Sequence, residues 1–179
     1  FKSLRESLRF LEEICSDGIV PITLLKLMPY FGTRVERELR EAGRLRGQPG
    51  NFDYNFLTPA LDACWEAVSD CFAEWLWGRE GVVNLAKWAR NYMAVIDHLG
   101  KRNGGSDHFR SIYRDTIAKS NRFLAVTLNS LLDYYDSGDY LSDGDKRKED
   151  IASESVRRHQ LYASTFKEML DSLQEESLR

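Results

Sequence analysis

Apolar side chains recur three and four residues apart along almost the whole chain, and this spacing constrains the fold more than any other feature. In the first segment, Leu4, Leu8, Leu11 and Cys15 lie on one face of a helix. Val, Ile and Thr residues occur singly within such patterns, and no run alternates them with polar residues as a half-buried strand would. The spacing therefore predicts an all-α fold.

Proline, glycine and capping residues divide this pattern into six or seven predicted helices. Thr33 and Thr58 are predicted N-caps, Pro59 takes a first helical position, and Gly100 is a predicted C-cap. The short connections predict a bundle with antiparallel neighbours, and the two long last helices predict a C-terminal hairpin that projects past the rest. The predicted helices cover residues 2–15, 21–28, 34–46, 59–77, 82–99, 108–135 and 146–174.

The length of the chain limits its domain organisation. A compact monomer of 20.7 kDa buries roughly 70% of the surface of its unfolded chain, which is enough for one sizeable core. We therefore expect a single domain over residues 1–179 and, because the chain begins with Phe1, interpret it as part of a larger protein. Residues 47–52 are predicted to be a loop or a gap in the chain, and residues 136–145 an acidic, mobile loop.

Charge and cysteine content restrict the partner and the compartment. A net charge of −3 and a pI of about 5.7 disfavour binding to nucleic acid. Cys64 and Cys71 lie on one predicted helix, about 10.5 Å apart along its axis, which is too far for a disulfide. Reduced thiols predict an intracellular protein, either cytoplasmic or nuclear. Because the sequence has no apolar run of ~20 residues, we expect no membrane insertion.

Motifs for catalysis and cofactor binding are missing from the sequence. It contains no phosphate-binding loop, no dinucleotide fingerprint and no nucleophile elbow. His98, His108 and His159 lack metal-ligand spacing, and His159 is predicted to be buried and hydrogen-bonded. An EF-hand in the acidic stretch 133–145 would place Leu141 or Tyr135 where an oxygen ligand is needed. The sequence thus predicts no catalytic residue, no cofactor and no metal site.

Aromatic residues are dense between residues 65 and 92 and suggest a contact surface. Trp75 and Trp77 point about 200° apart on one helix, so both cannot face the same core. Exposed tryptophans are typical anchors of protein interfaces. We therefore predict a non-enzymatic domain that binds another protein, as a scaffold, an adaptor or a complex subunit, in an oligomeric state left open. Its predicted anchors are Trp65 and Trp77, and its predicted charged rim is Arg37, Arg40 and Arg44 on one helix face.

Two other functions and one regulatory role stay open at this point. The arginines of residues 34–46 would contact phosphates in a nucleic-acid-binding domain. A helical enzyme would use Asp133 and Asp136, which are three residues apart, to hold a metal. Ser137 and Ser142 follow a DSG…S pattern that resembles a phosphodegron, although the spacing is one residue longer, so both are candidate phosphorylation sites.

Overall fold

The computed structural model describes residues 1–98 and 105–177. Helices dominate, which confirms the predicted helical class. The predicted cap and turn at residues 100–105 lie largely outside the described residues. The elements are α1 (Lys2–Ile14), α2 (Arg34–Glu41), β1 (Leu45–Gln48), β2 (Asn51–Tyr54), α3 (Pro59–Trp77), α4 (Val82–His98), α5 (Gly105–Ser137), a 3-10 turn (Asp139–Leu141) and α6 (Lys146–Ser177).

Two helix starts follow directly from local sequence. The Thr33 hydroxyl oxygen accepts a hydrogen bond from the Glu36 N–H at 3.2 Å, at the start of α2. The Thr58 hydroxyl oxygen accepts one from the Leu61 N–H at 3.4 Å, with Pro59 as the first residue of α3. A side-chain oxygen replaces the helical acceptor that these N–H groups lack, so both predicted N-caps are confirmed.

The segment between α1 and the hairpin departs most from the predicted helices. Residues 21–28 form no helix, and the predicted helix 34–46 ends at Glu41. A two-stranded antiparallel hairpin, in which Gln48 pairs with Asn51, replaces the predicted loop at residues 47–52. Its turn is Pro49-Gly50, and Gly50 has the positive φ of 93° that a type II turn needs at this position. A bundle of six or seven helices is therefore not confirmed, because the helix predicted over residues 21–28 is absent and the short α2 leads into the hairpin.

The contacts of α3 and α4 with α6 indicate that these two helices run in the same direction, so this one pair departs from the predicted antiparallel arrangement. Both lie along α6. Successive residues of α3, of the turn after it and of α4 contact successively later residues of α6. These contacts are Asp70–Lys148, Trp75–Tyr162, Glu80–Lys167 and Tyr92–Gln174. At the junction, a Cβ on Gly81 would lie 2.1 Å from the Glu74 carbonyl oxygen, so only glycine fits this close approach.

Helix α5 runs opposite to the other long helices and lies among them. Its contacts with α6 pair early residues of one helix with late residues of the other, as in Tyr113–Phe166 and Ser130–Arg147. Both helices bury side chains along most of their length, from Phe109 in α5 to Leu173 in α6. The predicted C-terminal pair therefore does not project past the bundle. The largest fully buried side chains of the core include Trp75, Phe72, Phe166, Ile117, Leu124, Leu131 and Leu173.

A buried asparagine on α5 fixes the chain that leaves α1. The Asn121 side-chain amide donates to the carbonyl oxygens of Cys15 and Val20, both at 2.9 Å. Its carbonyl oxygen accepts the Ile22 N–H at 2.8 Å. Gly18 adopts a φ of +70° against α5, where a Cβ would lie 2.1 Å from the Arg114 carbonyl oxygen. These contacts direct the following residues across the surface of the bundle.

Candidate protein-binding surface

Residues 21–31, which we call the apolar strap, form an irregular segment that crosses the helices. Burial alternates along its first half: Ile22, Leu24 and Lys26 face the protein, whereas Thr23, Leu25 and Leu27 face solvent. A period of two residues is typical of an extended strand. The strap therefore resembles a single strand that lies on a helical bundle.

Hydrogen bonds at three residues, Ile22, Leu24 and Lys26, hold the strap in addition to apolar packing. Beyond the Ile22 bond to Asn121, the Trp77 indole N–H donates to the Leu24 carbonyl oxygen at 3.0 Å. The Lys26 ammonium donates to Asp53 at 2.6 Å and to the Tyr54 carbonyl oxygen at 2.7 Å. It also lies 4.6 Å from the centre of the Tyr54 ring, a cation–π contact. The strap's one charged side chain is thus neutralised on the side that faces the protein.

The outer side of the strap is apolar and strongly exposed. Leu25, Tyr30 and Phe31 are 77%, 69% and 73% exposed, and Leu27 and Met28 are each more than half exposed. Single exposed apolar residues are ordinary, but five within seven consecutive residues form a concentrated patch. Such a patch is typical of a surface that contacts another protein.

An apolar cavity of about 210 Å³ lies beside the strap. The strap forms one wall, and α1, β2, α3 and α5 supply the others. The lining is mostly aliphatic and aromatic, and it includes Leu4, Leu8, Leu24, Trp65, Leu128 and Leu132. The contacts of Ile22, Leu24 and Lys26 hold the strap in place along this cavity.

The predicted tryptophan anchors are both close to the strap. Trp77 is 38% exposed, and its ring centre lies 6.0 Å from that of half-buried Trp65. Trp75 is buried in the core, as its opposite orientation to Trp77 predicts. Trp88 on α4 is the most exposed of these indoles, at 57%, and was not among the predicted anchors. The structure thus assigns Trp77 a holding contact to the strap, in addition to its exposed ring edge.

The predicted arginine rim is not a single helix face. Arg37 is exposed on α2 and has no ion-pair partner among the described residues. Arg40 bonds buried Glu36 at 2.8 Å. Because α2 ends at Glu41, Arg44 lies outside the helix and donates to the Asn55 carbonyl oxygen at 2.8 Å. The predicted row of three arginines is therefore wrong, and Arg44 instead closes the base of the hairpin.

The acidic residues proposed for metal binding are engaged by an arginine. Arg5 of α1 bonds Asp133 at 2.9 Å and Asp136 at 2.7 Å. Among residues 1–98 and 105–177, no group of three or more His, Cys, Asp or Glu side chains is arranged to hold a metal ion. The ring of His159 lies 6.3 Å from that of Trp75, and its Nε2 has no partner in the described part of the chain. His159 is half-buried, and the predicted hydrogen bond is not confirmed at Nε2.

The two candidate phosphorylation sites lie on the surface, in a segment more ordered than predicted. Ser137 and Ser142 are exposed, and their hydroxyls donate to nearby backbone carbonyl oxygens at 3.1 and 2.9 Å. The 3-10 turn between them packs through Tyr140, whose ring centre lies 4.8 Å from that of Tyr135. The segment is therefore held against the end of α5 rather than forming an open loop.

All three cysteines are free and buried, as the spacing predicts for Cys64 and Cys71. Burial raises the pKa of each of these two thiols to about 11, because the charged thiolate is poorly solvated inside the protein. Such thiols are weak nucleophiles near neutral pH. Within the described ranges, no helix is long and apolar enough to cross a membrane.

Sequence reasoning missed the strap as an exposed apolar surface. Its apolar residues also fit a short helix, and the pattern alone does not separate a short helix from a strand. The available signal was that Pro21 and Pro29 bracket the segment and that its odd-numbered and even-numbered positions both carry apolar residues.

Comparison with models of protein families, with curated proteins and with solved structures finds no match to this chain.

Proposed function

We propose that this chain is a non-enzymatic protein-binding domain, of the kind used as a scaffold, an adaptor or a complex subunit, and that the strap is its contact surface. The observation that carries the proposal is the anchored strap with five strongly exposed apolar side chains. The binding surface is attached to α5 through Ile22, to α3 through Leu24 and to β2 through Lys26. A segment held in this way loses less conformational entropy on binding than a free loop.

The exposed area supports a protein as the bound molecule. An aromatic side chain buries about 150–250 Å² when fully covered, so Tyr30 and Phe31 together offer roughly 200–350 Å² of largely apolar surface. These side chains lie on the solvent-facing side of the strap, where another protein surface can cover them. Arg37 and the exposed edge of Trp77 are proposed to contribute at its border, whereas Arg40 and Arg44 are occupied within the domain.

Quantitative affinity capture from cells that express the tagged chain tests this proposal. The test variant replaces Leu25, Tyr30 and Phe31 with alanine. Truncation of interface anchors costs about 2 kcal/mol or more each, so we expect bound proteins to fall more than about tenfold. The control variant replaces Val126, Val156 and Leu161, which are also more than half exposed but lie on α5 and α6, with alanine.

The control variant should retain the bound proteins. Both variants should melt within about 2 °C of the wild type, because they change exposed side chains. Equal capture by the strap variant and the wild type would contradict the proposal. No specific observation favours the nucleic-acid or metal-enzyme alternatives, since Arg40, Arg44, Asp133 and Asp136 are engaged within the chain.

A further inference from the structure

The cavity beside the strap is larger than the voids that close packing leaves. Few voids in a protein interior exceed the size of a water molecule, whereas this cavity measures about 210 Å³. The strap, α1, β2, α3 and α5 all contribute to its walls. Wall atoms that face empty space lose dispersion contacts, so an empty cavity of this size destabilises the protein. A molecule of the right size and polarity would restore those contacts.

The walls of the cavity are almost entirely apolar. A water molecule needs about two to four polar partners, so a cavity with such walls stays dry. The thiol of Cys64 belongs to the lining and is uncharged near neutral pH, because burial raises its pKa to about 11. The aliphatic lining residues of the three helices are Leu4, Leu8, Leu11, Leu61, Val68, Leu128 and Leu132.

Lys26 is the one charged residue of the lining, and its ammonium is already satisfied within the chain. It donates to Asp53 at 2.6 Å and to the Tyr54 carbonyl oxygen at 2.7 Å. The ring centres of Tyr54 and Phe56 lie 4.6 and 4.9 Å from the same nitrogen. The Tyr54 hydroxyl oxygen in turn accepts a hydrogen bond from the Leu27 N–H. An anionic group in the cavity would therefore lose its water without gaining a counter-ion, which is costly.

We propose that this cavity binds an uncharged, largely hydrocarbon small molecule. An engineered cavity of about 150 Å³ with aliphatic and aromatic walls binds benzene, so by proportion a cavity of about 210 Å³ takes about eight carbon atoms. The inference goes beyond the proposed function. A partner protein covers the solvent-facing side of the strap, whereas this ligand lies between the strap and the helices.

Ethylbenzene and phenylacetate, which have the same number of carbon atoms, test the class of ligand. Calorimetric titration of the full chain should show saturable binding of ethylbenzene, with a Kd of about 1 mM or lower. Phenylacetate should bind at least about tenfold more weakly, because the lining holds no free cation for its carboxylate. Absence of ethylbenzene binding, or equal affinity for the two probes, would overturn the proposal.

Intermolecular nuclear Overhauser effects between ethylbenzene and leucine methyl groups locate the bound molecule. We expect them at Leu8, Leu128 and Leu132, which line the cavity. Leu85 on α4 and Leu173 on α6 are also buried but lie outside the lining, so they should show none. Effects only at leucines outside the lining would place the ligand elsewhere and contradict this site.

A matched pair of variants on α1 tests whether the cavity itself is needed. Ser7 is exposed and lines the cavity, whereas Ser3, one turn earlier, is exposed but does not line it. Ser7→Phe supplies a ring that can fill the cavity from its open side, and Ser3→Phe adds the same ring outside it. Both variants should melt within about 2 °C of the wild type, because each changes an exposed side chain.

The two variants should differ in affinity. Ser7→Phe should bind ethylbenzene at least about tenfold more weakly than the wild type, because its own ring competes for the same space. Ser3→Phe should match the wild type. Equal ethylbenzene affinity of the two variants would contradict binding in this cavity.

Discussion

The three hydrogen bonds of Asn121 are expected to be a large single contribution to stability. Asn121→Ala leaves the Ile22 N–H and the carbonyl oxygens of Cys15 and Val20 without their partner. At about 1 kcal/mol for each bond, the free energy of unfolding falls by about 3 kcal/mol, and by more where a buried group stays unpaired. For a chain of this length, that loss lowers the Tm by about 6–12 °C.

Urea denaturation followed by circular dichroism measures this change, with Asn129→Ala as the control. Asn129 lies on the same helix and is half-buried, but it makes no side-chain hydrogen bond to the described residues. Both substitutions raise helix propensity by a similar few tenths of a kcal/mol, so the difference between the variants isolates the three bonds. A difference below about 1 kcal/mol would refute the argument that Asn121 fixes the strap.

Three further outcomes are expected. Trp77→Phe keeps a ring but removes the donor to the Leu24 carbonyl oxygen. It should lower the free energy of unfolding by about 1 kcal/mol and increase proteolysis within the strap. Unchanged proteolysis would argue against this bond. Gly81→Ala places a Cβ 2.1 Å from a carbonyl oxygen of α3 and should lower the Tm by several degrees, which a thermal melt checks; an unchanged Tm would mean that the junction is looser than described. With a pKa of about 11, the thiols of Cys64 and Cys71 are about a thousandth ionised at pH 8, so a thiol reagent should label them only after unfolding; rapid labelling of the folded chain would contradict their burial.

Elements that local sequence specifies were predicted well. The predicted starts of α2 and α3 match because Thr33 and Thr58 cap them through bonds to N–H groups three residues away. The end of α2 was not predicted, because Ala42, Arg44, Leu45 and Arg46 are also good helix formers. There the chain turns at Gly43, which has a φ of +65°, and enters the hairpin. That choice depends on strand pairing, which periodicity alone does not describe.

The candidate surface was predicted only in part. The opposite orientations of Trp75 and Trp77 follow from helix geometry, so their separation into a core and a surface residue could be predicted. The link between Trp77 and Leu24 could not, because these residues are 53 positions apart. The arginine prediction failed for a related reason: it assumed that one helix continues through Arg44.

The sequence by itself determined the helical class, the capped helix starts and the free, buried cysteines, because each depends on residues within a few turns of one another. Tertiary structure alone decided that residues 21–31 lie extended across the bundle and that α4 continues in the direction of α3. The strap's course depends on bonds from Asn121 and Trp77, which are distant in sequence, and the direction of α4 depends on its packing along α6. Local preferences of the strap are nearly balanced between helix and strand, so these distant contacts select its conformation.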